Sequence, residues 1–165
     1  MSDLPTNAYV SSTGRVTYTY ADGHTVTLHG THPYRDNNPR NLRYIGKSGL
    51  ARAKQAGGIG IDNTFAIFPD GRAGEDALHA MIKRRGEEGQ TLESFLTIYA
   101  PPGENNLASY LIAVSTALTA KPGDRLASLS DQQRATLAET IMIQEGWRSR
   151  KSMFSPPIVG QPSRR

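Results

Sequence analysis

The chain has 165 residues, 37% hydrophobic and 21% charged, enough for one domain with a core of its own. It contains no cysteine, which removes disulfides, thiolate nucleophiles and cysteine-type zinc sites together. No apolar run reaches the roughly 18–20 residues of a membrane span, so membrane insertion is not expected. The net charge of +4 is unevenly spread: Arg148, Arg150, Lys151, Arg164 and Arg165 give the last eighteen residues +5 with no acid, leaving −1 for the rest. A second basic stretch from Arg35 to Lys54 sets six bases against Asp36 alone. Such patches suit an anionic polymer or an ordinary solvated surface.

The opening "MSDLPTNAYV" lacks the basic and apolar regions of a secretory signal, so synthesis in the cytoplasm is expected. Residues 1–13 read as an N-terminal arm. "GRVTYTYADGHTVTLHG" (14–30) alternates in hydrophobicity around Asp22-Gly23, a hairpin signal. With those two residues as the turn, Val26 opposes Thr19 and Leu28 opposes Thr17. Tyr18, Tyr20, Thr25 and Thr27 then form a hydroxyl-rich aromatic face that suits solvent or a sugar. "YRDNNPRNLRYIG" (34–46) is too polar for a core strand and too rich in Asn and Pro for a helix, so a fixed loop is predicted.

"SGLARAKQAGG" predicts a short helix stopped by Gly57, "GGIGID" a glycine-rich turn, and "TFAIFPDG" a strand and turn. Asp70 can cap the next helix, with Ala73, Ala77, Leu78, Met81 and Ile82 at helical spacing up to Gly86. "TLESFLTIYAPP" predicts a short helix ended by Pro101-Pro102. Leu107, Tyr110, Leu111, Val114 and Leu118 then share one helical stripe. Ser130 and Gln133 have capping-box spacing at the start of a last helix, in which Leu137, Ile141 and Glu145 stack at i, i+4 and i+8 before Gly146. Beyond Trp147 the chain is basic and proline-rich, a mobile tail by composition. The order predicts an α+β fold dominated by helix.

Motifs for nucleotide binding, the GxSxG nucleophile turn and HExxH are all absent. A ligand set of His29, His32 and Asp36 is conceivable, yet no carboxylate cluster has ligand spacing, and neither metal nor cofactor is expected. Glu145 would sit on a buried helix face at the negative end of the helix dipole. Desolvation and the dipole would both raise its pKa, as a general acid for glycosidic cleavage requires. Pairing with Arg148 or Arg150 is the simpler alternative. Glu104 reads as a helix cap or an acid, and Asp22 and Asp62 as turn residues.

Taken together, "YRDNNPRNLRYIG", "GGIGIDNTFAIFPDGRAGEDAL", "TLESFLTIYAPPGENN" and "EGW" resemble a bacterial and phage family with the pattern NNPGN-(I/L)-RY, GG-F-A-(V/I)-FP, YAPPSEND and a terminal EG-(F/W). Its members are similar to peptidoglycan-cleaving, lysozyme-like domains of phage particles and type VI secretion effectors. The likeness spans residues 14–147, with 148–165 as the tail. Arg40 replaces the usual glycine, Gly103 a serine, and Tyr34 stands where tryptophan is common. Pieces similar to phage lysozymes and flagellar-type glucosaminidases occur here in rotated order, with "QEGW" last. A circularly permuted lysozyme-like fold is therefore the architecture expected.

The resemblance implies a glycosidase in which Glu145 protonates the glycosidic oxygen between amino sugars. Asp22, Asp62 or Glu104 would be the second group, unless the substrate's N-acetyl group assists. Asn37, Asn38 and Asn41 would bond hydroxyl and N-acetyl groups, and Tyr34, Tyr44 and Tyr99 would give stacking surface. The implied partners are glycan strands and, for a secreted effector, a cognate immunity protein. Action in the periplasm would follow delivery by a secretion apparatus or lysis. The competing readings are a non-catalytic glycan-binding or phage structural module of the same fold, and a nucleic-acid binder. No predicted helix carries the basic face that the last would need.

Overall fold

In a computed structural model the protein is an α+β molecule, described over residues 4–99 and 107–144. Its first part is an antiparallel sheet of β1 (Asn7–Ser12), β2 (Arg15–Thr19) and β3 (Thr25–His29), in that spatial order. The predicted hairpin is present, with its register one residue away from the expected one: Tyr18 pairs with Val26, Thr17 with Thr27 and Val16 with Leu28. Three residues, Ala21, Asp22 and Gly23, form the connection. Tyr20 and His24 close it, with Gly23 at φ +87°. A glycine in the left-handed region at the third loop position is the usual three-residue solution, and it moves every pair by one. Because side chains alternate, the expected faces exchange partners. Tyr18 and Val16 are buried, and the aromatic-hydroxyl face does not form as a solvent-facing unit.

The arm expected over 1–13 is in part strand, since β1 pairs with β2 from Asn7 to Ser12. A single turn α1 (His32–Arg35) follows, with Pro33 inside its first turn, and then the Asn-rich loop. Two of its asparagines, Asn37 and Asn41, take φ of 51° and 53°, the left-handed region that Asn tolerates better than other side chains. Arg40 is not among the positive-φ residues. Next come α2 (Gly49–Gln55) and a second antiparallel pair, β4 (Gly60–Asp62) with β5 (Phe65–Ile67). "GGIGID", expected to be only a turn, supplies β4. Gly60 there approaches the backbone of β1 so closely that a Cβ would lie 2.3 Å from the Ala8 carbonyl oxygen.

α3 (Gly71–Glu87) starts as predicted, with the Asp70 carboxylate accepting from the Ala73 amide at 2.8 Å. It joins two regions. Ala77 and Met81 pack with Leu42, Ala53, Ala66 and Phe68, while Leu78 and Ile82 enter a larger helical core. That core is completed by α4 (Leu92–Tyr99), α5 (Leu107–Leu118) and α6 (Asp131–Gln144). Of the predicted stripes, Tyr110, Val114 and Leu118 of α5 and Leu137 and Ile141 of α6 are buried together, Leu107 and Leu111 are partly buried, and Glu145 lies outside the described residues. The capping box at α6 is reciprocal, Gln133 N–H donating to Ser130 Oγ at 3.1 Å and Ser130 N–H to Gln133 Oε1 at 2.9 Å. Among the described residues no helix is long and apolar enough to cross a membrane.

Candidate functional site

The sheet, α1 and the β4–β5 pair meet around one group of charges. Tyr18 on β2 donates its hydroxyl hydrogen to the Arg35 carbonyl at 2.6 Å, and Phe68 N–H donates to the Asp36 carbonyl at 2.8 Å. These bonds fix the end of α1 between β2 and the segment after β5. His32 and Asp36 are four residues apart across this helical turn, so their side chains meet, Nδ1 lying 2.9 Å from Oδ2. The Arg35 guanidinium completes the group, its Nη2 3.0 Å from each His32 ring nitrogen. Its Nη1 donates to the Gly30 carbonyl at 2.7 Å, and its Nε and Nη2 reach the same Asp62 oxygen at 2.8 and 2.7 Å. The imidazole of His32 packs against Phe65 at 4.0 Å between ring centroids, and the Arg43 guanidinium lies over that same phenyl ring at 4.6 Å.

His32, Asp36 and Asp62 place three potential ligand atoms within 4.8 Å of one another. The position between them is already occupied by a cation of the protein itself. Arg35 Nη2 lies 2.7 Å from Asp62 Oδ2 and 3.0 Å from His32 Nδ1, where a bridging metal would otherwise sit. The group is better described as two carboxyls, one guanidinium and one imidazole. Burial, and then the nearby Asp62 charge, push Asp36 from 3.8 up to about 8, with Arg35 opposing. Burial and the Arg35 charge hold His32 below its ordinary value. Near neutral pH Asp36 therefore keeps a proton, Asp62 is paired with Arg35, and His32 is neutral. The arrangement can store one proton in a buried carboxyl pair and pass it to an imidazole.

The predicted site residues divide into groups. Asp62 is in the cluster. Asp22 is not: it is exposed at the tip of the β2–β3 hairpin, accepting from the His24 amide at 3.0 Å and in contact with the His24 ring. Those contacts with His24 lower its pKa. Asn37 and Asn38, expected to face substrate, are buried and bonded to the protein's own backbone. Asn37 Nδ2 donates to the Phe68 carbonyl at 3.1 Å. Asn38 Nδ2 donates to Leu42 and Ala66 carbonyls at 3.1 and 3.0 Å, and its Oδ1 accepts from Leu42 N–H at 2.8 Å. Their role as a sugar-binding wall is thus corrected to that of an internal brace.

Asn41 is half-buried, Tyr34 packs beside Gly30, and Tyr44 is half-buried against the cluster that holds Phe68. Tyr99 ends α4, with its side chain outside the described residues, as are Glu104 and Glu145 altogether. The conceivable metal set is altered, since His29 ends β3 as an exposed residue and Asp62 stands with His32 and Asp36 instead.

Arg35 and the pairing of Asp36 with Asp62 escaped the sequence reading. The available signal was the spacing His32-Arg35-Asp36, three chemically active side chains within one helical turn. The partner Asp62 lies 26 residues further on and is identified only by the fold. Comparison with known proteins finds no matching family model, no matching curated protein and no matching solved structure.

Proposed function

We propose that the protein is a peptidoglycan glycoside hydrolase of lysozyme-like type, acting on the glycan strand with Glu145 as general acid. The observation that carries the reading is the carboxyl pair Asp36 and Asp62. Burial and the nearby Asp62 charge raise the pKa of Asp36, and Arg35 is ion-paired with Asp62 at 2.7 Å. Two carboxyl groups, one of them with a raised pKa, are a pairing that glycosidic cleavage uses. The ordered likeness to the lysozyme-like family supports it independently, since the "YRDNNPRN" and "GIDNTFAIF" segments that carry the likeness also supply Arg35, Asp36 and Asp62. Of the three candidates for the second group, Asp62 has the surroundings of a charge stabiliser, while Asp22 is bonded at an exposed turn. The substrate would be reached in the periplasm after secretion or lysis, and a cognate immunity protein would be the expected partner of an effector.

The experiment is digestion of purified sacculi by the wild type, Glu145→Gln and Asp62→Asn, with mass spectrometry of the fragments. The wild type should release muropeptides, and Glu145→Gln should lower the rate by a factor of about 100 or more. Full activity in a folded Glu145→Gln variant removes that residue from its role. Binding of sacculi without release of fragments makes the protein a glycan-binding module instead.

A further inference from the structure

The two edges of the three-stranded sheet are unlike. On the β1 edge the Ala8 amide donates to the Ile59 carbonyl at 3.4 Å, Gly60 lies against the Ala8 carbonyl, and the register slips between Val10 and Ser12. The β3 edge has no such cover among the described residues. In the β2–β3 ladder the Tyr20 amide donates to the His24 carbonyl at 3.0 Å, and the Gly30 amide to the Gly14 carbonyl at 3.3 Å. Antiparallel ladders alternate bonded and non-bonded pairs, so Val26 and Leu28 turn their backbone groups towards β2. Thr25, Thr27 and His29 turn theirs outward, and none of those amides and carbonyls bonds another described residue. The Thr17 and Thr27 hydroxyls, 2.9 Å apart, agree with this, since non-bonded pairs bring side chains closest.

Sheet edges that stay unpaired are ordinarily blunted by a lysine, a proline, an inward-pointing charge or a bulge. β3 has none of these. Its sequence "TVTLH" contains no lysine, arginine, acid or proline, its pairing with β2 is regular over all five residues, and every residue but Leu28 is exposed. Val26 is 41% exposed although it stands on the same face as its β2 partner Tyr18, which is buried. The strand thus presents unsatisfied backbone groups and an uncovered apolar side chain together.

We propose that β3 pairs antiparallel with β3 of a second copy of this chain about a twofold axis, joining the two sheets into one. The register that overlaps all five residues puts Thr27 opposite the partner's Thr27, Thr25 opposite its His29 and Val26 opposite its Leu28. Each outward-facing residue then exchanges two backbone bonds with its counterpart. Val26 gains an apolar neighbour on the face it shares with Tyr18. The other face gains a row of threonine hydroxyls that runs from Thr17 through both copies of Thr27 to the partner's Thr17. A twofold contact has to be self-complementary, and along this seam each side chain meets one of its own kind or size with no like charges opposed. One short strand from each copy makes a seam smaller than the roughly 1,200–2,000 Å² of a stable interface, so the association is weak and reversible. It is independent of the reaction proposed above.

The test uses the full chain. Sedimentation equilibrium from about 10 μM to about 1 mM, the range of weak association, should show the mass rising from monomer towards dimer. Over the same range, amide exchange resolved by residue should slow about threefold or more at Thr25, Thr27 and His29, with Val26 and Leu28 unchanged. Thr27→Lys sets two lysines opposite each other across the axis without altering a backbone bond within the sheet, and should stay monomeric at about 1 mM. Thr27→Ser should keep the dimer. A wild type that remains monomeric at about 1 mM overturns the proposal. Association that leaves the three amides unprotected, or that survives Thr27→Lys unchanged, places the contact elsewhere and overturns it too. Protection of those amides that does not depend on concentration makes a segment of the same chain the occupant of the edge, and the second copy is excluded.

Discussion

Asn38 shows how little its own chemistry reveals about where an amide points. Its two donors and one acceptor meet the Leu42 carbonyl, the Ala66 carbonyl and the Leu42 amide, so that the side chain stands in for a missing piece of strand between the loop and β5. The same three groups would suit an N-acetyl sugar, and for that reason the sequence allowed a substrate wall. Burial decides between them, because inside the protein an unpaired backbone group is costly and an Asn that satisfies three is strongly favoured. Asn38→Ala is therefore expected to destabilise the fold by about 2–3 kcal/mol, read from the urea midpoint, since it strands the buried Leu42 N–H and removes a donor from the Ala66 carbonyl, while the Leu42 carbonyl keeps its bond from the Ala66 amide. A loss below about 0.5 kcal/mol would mean that water replaces the amide.

At the scale of elements, the helices of the second half were legible because their signals are local. The Asp70 cap, the Ser130–Gln133 box and the apolar stripes of α5 and α6 lie within one or two turns of the residues they organise. The strands were less legible, since their partners are remote. β1 was hidden because only Ala8 of its six residues is buried, so the chain shows no apolar alternation there. β4 was hidden because its glycine reads as a turn, although Gly60 is needed to let Ala8 approach. The hairpin was seen with its register wrong by one, because "ADG" permits a two- or a three-residue loop and only the φ of Gly23 distinguishes them.

That register matters to the site, since it is what buries Tyr18 and directs its hydroxyl to the Arg35 carbonyl. Tyr18→Phe keeps the ring on β2 and removes the hydroxyl that bonds the Arg35 carbonyl, at an expected cost of about 1–2 kcal/mol. Thermal unfolding would give the loss, and amide exchange should show it concentrated at Arg35 and Asp36 rather than in α5 or α6.

For the whole molecule, the charge cluster lies where the three-stranded sheet and the β4–β5 pair come together, outside the helical core. Its protonation is thus linked to the stability of the entire fold. Asp36 has its folded-state pKa raised from 3.8 to about 8, chiefly by burial and then by Asp62. Below about pH 4 both the folded and the unfolded chain hold this proton, and it exerts no pull. Between about 4 and 8 the unfolded chain has released it and the folded chain has not, so stability falls steadily as pH rises, then levels off above about 8. His32 acts in the opposite direction: its folded pKa is lowered, so its share of stability is present above its ordinary value of 6.5 and is lost as pH falls below it. Asn in place of Asp36 imitates the protonated carboxyl and cannot ionise. Melting temperatures measured from pH 4 to pH 9 should therefore show Asp36→Asn gaining on the wild type across the window from about 4 to 8 and holding a constant difference above it. A difference that does not change with pH would mean that Asp36 is already ionised in the folded protein, held as an anion by Arg35, and would leave the carboxyl pair without its stored proton.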